Sequence, residues 1–177
     1  MFDTSKACLL MAVSLTLGIS TPLLAEESNP EILGCLDAVG TYLTKRTVTI
    51  DEKTRVDRGL IALTNGGHAF VTDSAEGGVA GYQPFSDGRG SWRCLGHEDG
   101  KSKLKIVMFD FTTSPDANAD RYMARVTTLA DADPETGEVT GLTTVEFLAI
   151  DASPDTTDTV RPSVGYDFTG VRLEVAE

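Results

Sequence analysis

Residues 59–74, GLIALTNGGHAFVTDS, decide the fold of this chain. Two short apolar and β-branched runs flank Asn65, Gly66 and Gly67, which can take the positive φ that tight turns require. This pattern predicts a β-hairpin with strands over residues 56–64 and 68–74. The same kind of alternation continues on both sides of the hairpin.

Further runs rich in Val, Thr, Ile, Phe and Tyr predict six more strands, at 41–50, 89–95, 103–112, 121–131, 138–150 and 166–175. HEDGKSK and DADPETGE mark further hairpins. No helical stretch is long enough for a βαβ crossover, so the strands must be antiparallel. An all-β fold follows, an eight-stranded antiparallel up-and-down β-barrel, because closure removes exposed edges. A two-sheet sandwich is the rival architecture.

The first residues are those of an export signal. Lys6 precedes an apolar run too short to span a bilayer, which predicts a signal peptide over 1–25 and a single barrel domain over 26–177. The alternatives are a membrane anchor or a buried helix, and ILGC before Cys35 also resembles a lipobox. Next, Ser28 with Glu31, or Asn29 with Pro30, predicts the start of a short helix of about two turns that ends at Gly40.

Composition limits the partners. The chain carries a net charge of -12 and has a sequence pI near 4.5, which disfavours nucleic acid and anionic membranes. The signal peptide predicts a periplasmic or secreted location, with no membrane association once the signal is removed. Cys35 and Cys94 remain after signal removal, and their even number in an oxidising compartment predicts one disulfide.

The order of GTYLT, GLIALTNGGHAFVTDS, GRGSWRCLG and KLKIVMFDF resembles the calycin-like small barrels, and more narrowly the lipocalin-like and allene-oxide-cyclase-barrel-like proteins. Lipocalins open with Gly-x-Trp, and Gly40 and Tyr42 stand in those places here. The resemblance implies that Tyr42 plugs one end of the barrel. It also implies a lumen that binds a small hydrophobic molecule or, in the cyclase branch, steers a reactive one.

Alternation along the strands predicts which side chains face the lumen. Tyr122, Ala124 and Val126 share one face with Val145 and Phe147 of the following strand. The opposite face carries Arg125 and Glu146, which are expected to pair outside, with an inward pair as the alternative. This mixed outer face is also a candidate surface for a homo-oligomer. The predicted ligand-binding side chains are Tyr42, Trp92, Tyr122, Phe147, Tyr82 and Phe85.

Tyr82 and Phe85 lie in the long connection 75–88, which is expected to be either a flap over an apolar opening or a plain flexible loop. The second long connection, 151–165, is also expected to be either a binding loop or a mobile segment. Trp92 is expected to fill the core, and to line a pocket if one exists.

Asp110, within VMFDF, is the candidate catalytic residue. A carboxyl group in an apolar setting would have a raised pKa and would suit acid–base chemistry. The other interpretation is a strand-end position that faces solvent, and this is the position that we expect. No cofactor or metal is expected, since Cys35 and Cys94 lack zinc-ligand spacing and both DANAD and DADPETGE lack the EF-hand glycine and glutamate. His68 and His97 are expected to be loop residues, and a Ser-His-Asp site is not supported.

Three functions therefore stay open. The first is an exported barrel that binds a small hydrophobic or amphipathic molecule, and the second is a cyclase or isomerase that acts by shape and a few polar groups in the lumen. The third is a structural or interaction module whose lumen is packed.

Overall fold

The fold is a closed barrel of eight antiparallel strands in the order β1 to β8. The computed structural model describes residues 33–50, 53–79, 83–114, 116 and 118–174, without the side chains of residues 50 and 53. The strands are β1 Gly40–Ile50, β2 Lys53–Leu63, β3 His68–Asp73, β4 Gly88–Glu98, β5 Lys101–Phe111, β6 Tyr122–Ala132, β7 Glu138–Ala149 and β8 Val164–Arg172. The predicted barrel is confirmed, and the sandwich is excluded because β1 pairs with β8.

Each predicted strand is present, with its ends displaced by a few residues at most. The hairpin that opens the sequence analysis is confirmed by the pairing of Leu63 with Ala69, although Gly67 alone of its three turn residues has a positive φ, 81°. In the HEDGKSK hairpin, Asp99 and Gly100 have φ values of 52° and 77°. Both central residues are therefore left-handed, as in the type I′ turn that suits the strand twist of a two-residue hairpin.

One end of the barrel is closed by packed side chains and a short 3-10 helix, Leu33–Ala38. The predicted start of this helix, with residues 28–31, lies outside the described residues. Tyr42 donates a hydrogen bond to the Ala38 carbonyl (2.8 Å), and Trp92 donates one from Nε1 to the Thr64 carbonyl (2.8 Å). This closed end also contains Leu63, Ala69, Leu104, Ile106, Ala130, Ala132, Val139 and Phe168.

A disulfide between Cys35 and Cys94 joins the helix to β4, as predicted, with a Cα–Cα distance of 5.5 Å. Arg172 of β8 contacts the same region, since its Nη2 donates to the Tyr42 hydroxyl at 2.9 Å and to the Asp37 carbonyl. The helix is therefore held to the barrel on two sides. A disulfide is compatible with an oxidising extracellular or periplasmic compartment.

The other end of the barrel has the longer connections. The segments 74–87, 112–121 and 150–163 all join strands there. In the up-and-down topology alternate connections lie at opposite ends of the barrel, so these three share one end. The open end is therefore where the interior can be reached from solvent.

Candidate ligand cavity in the open half of the barrel

The open half of the barrel contains a cavity of about 290 Å³. Phe85 borders it from the 74–87 connection, and Arg161 and Pro162 border it from the 150–163 connection. Its volume is at the lower end of known small-molecule pockets, about 300 Å³. The walls are mostly apolar, with Ile61, Val71, Met108, Ala124, Val126, Val145 and Phe147 among the lining residues.

An ion-pair network lies on one side of this cavity. Arg46 of β1 contacts Asp73 of β3 at 2.5 Å and Asp57 of β2 at 3.4 Å. Asp57 also accepts a hydrogen bond from Nε of Arg55 at 2.9 Å. Burial opposes the charge on Arg46, but attraction from Tyr166, Asp73 and Asp57 outweighs it and raises the pKa of the guanidinium. Arg46 is therefore a cation whose charge is already balanced by protein carboxylates.

Aromatic and hydroxyl groups extend this network across the barrel. The Arg46 guanidinium lies 4.5 Å from the centre of the Tyr166 ring, a cation–π contact. Burial raises the pKa of Tyr166, so its phenol stays protonated at neutral pH. Thr128 and Thr143, which pair between β6 and β7, share a hydrogen bond of 2.9 Å. All of these groups except the Asp57–Arg55 pair line the cavity, which gives it a polar strip among apolar walls.

Asp110 lies inside the barrel, so the expectation that it faces solvent is wrong. Its side chain follows Leu104, Ile106 and Met108 on the buried face of β5, where burial alternates residue by residue. Asp110 is 8% exposed and lines the cavity. Its carboxyl group makes no hydrogen bond or ion pair with any other described residue.

The surroundings of Asp110 favour its neutral form. Burial, followed by the charges of Glu76 and Asp73, raises its pKa to about 7. A carboxyl group in this state is divided between acid and carboxylate near neutral pH. It can therefore donate or accept a proton there, or it can accept hydrogen bonds from a ligand.

Two more polar side chains lie at the mouth of the cavity. Glu76 accepts a hydrogen bond from the Asp73 amide at 2.6 Å, and burial together with Asp87 keeps the pKa of Glu76 above its usual value. Gln83 donates from Nε2 to the Asp120 carbonyl at 3.0 Å. The Oε1 atom of Gln83 is buried and has no hydrogen-bond partner among the described residues.

The structure brings only part of the predicted site together. Phe147 and Phe85 line the cavity, whereas Tyr42 and Trp92 lie in the closed end and do not reach it. Their polar atoms bond to backbone carbonyls of that end, which holds both rings in the core. Tyr122 lies near the mouth, with its hydroxyl 3.1 Å from Asp120 and its ring 4.2 Å below the Arg161 guanidinium. Tyr82 lies outside the described residues.

Several cavity residues were absent from the sequence prediction: Arg46, Asp73, Glu76, Gln83, Thr143, Arg161 and Tyr166. The alternation of inward and outward side chains along a strand could have identified some of them. Arg46 shares the inward face of β1 with Tyr42 and Thr44, and Tyr166 shares that of β8 with Phe168. Glu76 and Arg161 come from connections, where strand alternation gives no direction.

A serine, a histidine and an aspartate also meet near the closed end. Ser102 donates to Asp37 at 2.7 Å and lies 3.1 Å from Nε2 of His97, while Asp37 is 3.6 Å from that same nitrogen. In a catalytic triad, the serine and the acid contact opposite nitrogens of the imidazole. Ser102 is fully buried, and this cluster is therefore a hydrogen-bonded anchor for the helix.

Donor atoms of Cys35, Cys94 and His97 lie within 4.8 Å of one another. The two sulfur atoms form the disulfide, so neither is a thiolate that could bind a metal. This group is the one cluster of metal-ligand type found in the described part of the chain.

The outer face of β6 and β7 carries the predicted Arg125–Glu146 pair, at 2.9 Å. Arg125 also donates to the carbonyls of Pro154 and Thr156, at 3.0 and 2.9 Å. The 150–163 connection is therefore tied to the outside of the barrel by one arginine. Beside it, Met123 and Leu148 face outward by register and yet are buried.

Comparison with protein-family models, with curated proteins and with solved structures finds no match for this chain. The fold defines its class as a closed eight-stranded antiparallel barrel, which is consistent with a calycin-like fold. Among the described residues, no helix has the length and apolar character needed to cross a membrane.

Proposed function

We propose that this protein is an exported barrel that binds one small, mainly apolar molecule in the open half of its lumen. One observation carries the proposal, the 290 Å³ cavity with apolar walls below a mouth formed by connections. Burial of apolar surface in such a cavity supplies the affinity, at roughly 25 cal/mol per Å² removed from water, less the cost of association. The third alternative, a fully packed lumen, does not agree with this cavity.

Export is supported by two features of different kinds. The first 25 residues have the pattern of a signal peptide, and they lie outside the described residues. The disulfide suits an oxidising compartment. Mass spectrometry of the protein recovered from a periplasmic or culture fraction would test export through the position of the new N-terminus. A full-length protein in the cytoplasm would contradict it.

Two neighbouring residues of β7 provide a matched test of binding. Val145 lines the cavity, whereas Thr144 lies between Thr143 and Val145 and so points to the opposite face. In Val145→Trp the added ring fills the cavity, and we expect the variant to lose binding of an environment-sensitive apolar dye. Thr144→Trp adds the same ring outside and should bind like the wild type. Equal dye binding by both variants, with circular dichroism unchanged, would contradict the proposal.

A second function, isomerisation or cyclisation by proton transfer, is favoured by one observation. Asp110 has a pKa of about 7 within an apolar cavity, which suits a group that takes up and returns a proton. The test uses a ligand recovered from the native protein and incubated with it in deuterated water. Enzymatic proton transfer at carbon would introduce deuterium, and Asp110→Asn would abolish the exchange. A ligand that stays unlabelled would reject this function and leave binding intact.

A further inference from the structure

Asp110 is a largely buried residue whose carboxyl group faces the cavity without a partner among the described residues. It is 8% exposed, it lines the cavity, and its carboxyl group has no hydrogen-bond or ion-pair partner among the described residues. Its oxygens are not among the fully buried polar atoms that lack a partner, so they are accessible from the cavity. A carboxyl group that faces a ligand cavity without a protein partner is available to accept hydrogen bonds from a ligand.

The cations of the cavity are not arranged to receive an acidic ligand. Arg46, the buried one, already has Asp73 at 2.5 Å and Asp57 at 3.4 Å. Arg161, the other, is exposed at the mouth and lies over the Tyr122 ring at 4.2 Å. A carboxylate ligand would find no free buried cation, and it would lie near Asp110.

Other carboxyl and amide oxygens near Asp110 are also acceptors. Asp73 and Glu76 both line the cavity and act on Asp110 through their charges. The buried Oε1 of Gln83 has no partner among the described residues and belongs to the same lining. Three carboxyl groups and one amide oxygen thus surround a space in which the buried guanidinium is already paired.

Apolar side chains on the strands beside and beyond Asp110 suit a hydrocarbon. Val126, Val145 and Phe147 from β6 and β7 lie across the barrel from Val71 of β3, and Met108 extends the apolar surface beside Asp110. An occupant that satisfied Asp110 would place its remaining atoms against these side chains. The cavity therefore combines acceptor groups with apolar wall residues.

We propose that the ligand of this cavity is an amphipathic amine, whose protonated nitrogen donates hydrogen bonds to the Asp110 carboxylate while its hydrocarbon part lies against Val126, Val145 and Phe147. This inference rests on the proposed function, because it names the chemical class of the molecule that the cavity binds. The ammonium group supplies the missing donor and the opposite charge together. Hydrogen bonds with a charged partner are stronger than those between neutral groups.

The test compares three probes with one hydrocarbon tail, n-octylamine, 1-octanol and octanoate, by isothermal titration calorimetry at pH of about 8, where the carboxylate form of Asp110 predominates. We expect n-octylamine to bind on the order of tenfold to a hundredfold more tightly than 1-octanol. Octanoate should bind most weakly. Amine binding should weaken when the pH is lowered to about 5.5, because Asp110 then takes up a proton.

Asp110→Asn should remove the advantage of n-octylamine over 1-octanol. Asp167→Asn is the matched control, since it makes the same change at an exposed residue of β8. Equal affinities for the amine and the alcohol, or an amine preference that survives Asp110→Asn, would overturn the inference while leaving the proposed function standing.

Tightest binding of octanoate, lost in Arg161→Gln, would overturn the inference in favour of an anionic ligand. If none of the three probes binds and Val145→Trp also leaves dye binding unchanged, the proposed function itself fails. Success of the inference requires both the amine preference and its loss in Asp110→Asn.

Discussion

Arg46 and Asp73 form an ion pair of 2.5 Å inside the barrel, between two strands that β2 separates. Both side chains are largely buried, and Asp73 also accepts a hydrogen bond from the Ala75 amide at 2.8 Å. The pair thus joins β1 to the start of the 74–87 connection, which borders the cavity. It fixes the polar side of the lumen at the position where Asp110 and Glu76 also lie.

The first prediction concerns the removal of Arg46. Arg46→Met leaves Asp73 buried without the cation that pairs with it in the wild type. Breaking one side of a buried pair usually costs about 3–5 kcal/mol, and we expect a loss of this size in the free energy of unfolding by urea. Arg89→Met, which removes an exposed arginine 5.9 Å from the Phe70 ring, should cost less than about 1 kcal/mol.

A double variant tests the cause of that loss. Asp73→Asn keeps an acceptor for the Ala75 amide and removes the charge, so Arg46→Met with Asp73→Asn should recover part of the stability lost by Arg46→Met alone. If the two changes add without recovery, the cost comes from lost packing of Arg46 and not from the uncompensated carboxylate.

The second prediction concerns the pH dependence of stability. The pKa of Asp110 rises from 3.8 to about 7 on folding, so the folded protein binds more protons than the unfolded chain between these values. The contribution of Asp110 to stability is therefore complete below pH 3.8 and is lost as the pH rises through about 7. The shift corresponds to at most about 4 kcal/mol.

We expect Asp110→Asn to remove this dependence. Urea unfolding at pH of about 5 and about 8 gives the change for each protein, and the difference between wild type and variant isolates Asp110. The wild type should lose more stability than Asp110→Asn as the pH rises, while Asp167→Asn should behave like the wild type. An identical loss in Asp110→Asn would show that the pKa of Asp110 is not raised in the native state.

The strands could be predicted from the sequence because each observation needed is local. A strand with one face in a barrel core alternates apolar and polar residues. Hairpins such as the one whose turn precedes His68 contain residues that favour tight turns. The two cysteines of the described barrel region could pair in one way only. Closure of the barrel needed a further argument, the avoidance of exposed edges, and β1–β8 pairing agrees with it.

The inward direction of the Asp110 side chain could also have been predicted from the sequence. Lys103 and Lys105 mark the outer face of β5, so Leu104, Ile106, Met108 and Asp110 must share the inner one. The expectation of a solvent-facing carboxyl group gave more weight to the usual position of aspartate than to this alternation. Trp92 illustrates a different limit, because alternation places a side chain inside the barrel without saying which half is packed. Which half of the barrel is packed depends on contacts with the helix and with β8, and these elements are distant in sequence.

The third prediction concerns Arg125, which ties the 150–163 connection to the outer face of the barrel. In Arg125→Met, the bonds to Glu146, Pro154 and Thr156 are lost together while most of the aliphatic stem remains. Because this residue acts on a surface connection, we expect the free energy of unfolding to fall by no more than about 1–2 kcal/mol. Hydrogen exchange should change more, since local opening of a connection requires less than global unfolding.

The amide of Val160 reports that opening, because it donates to the Phe147 carbonyl at 2.8 Å beside the cavity. Its exchange should accelerate in Arg125→Met, and so should limited proteolysis within residues 150–163. Arg121→Met makes the same change in charge at an exposed position and should leave Val160 protected. If both variants protect Val160 as the wild type does, the connection is held by contacts other than those of Arg125. The Arg125–Glu146 contact would then be an ordinary surface ion pair, and access to the cavity would not depend on Arg125.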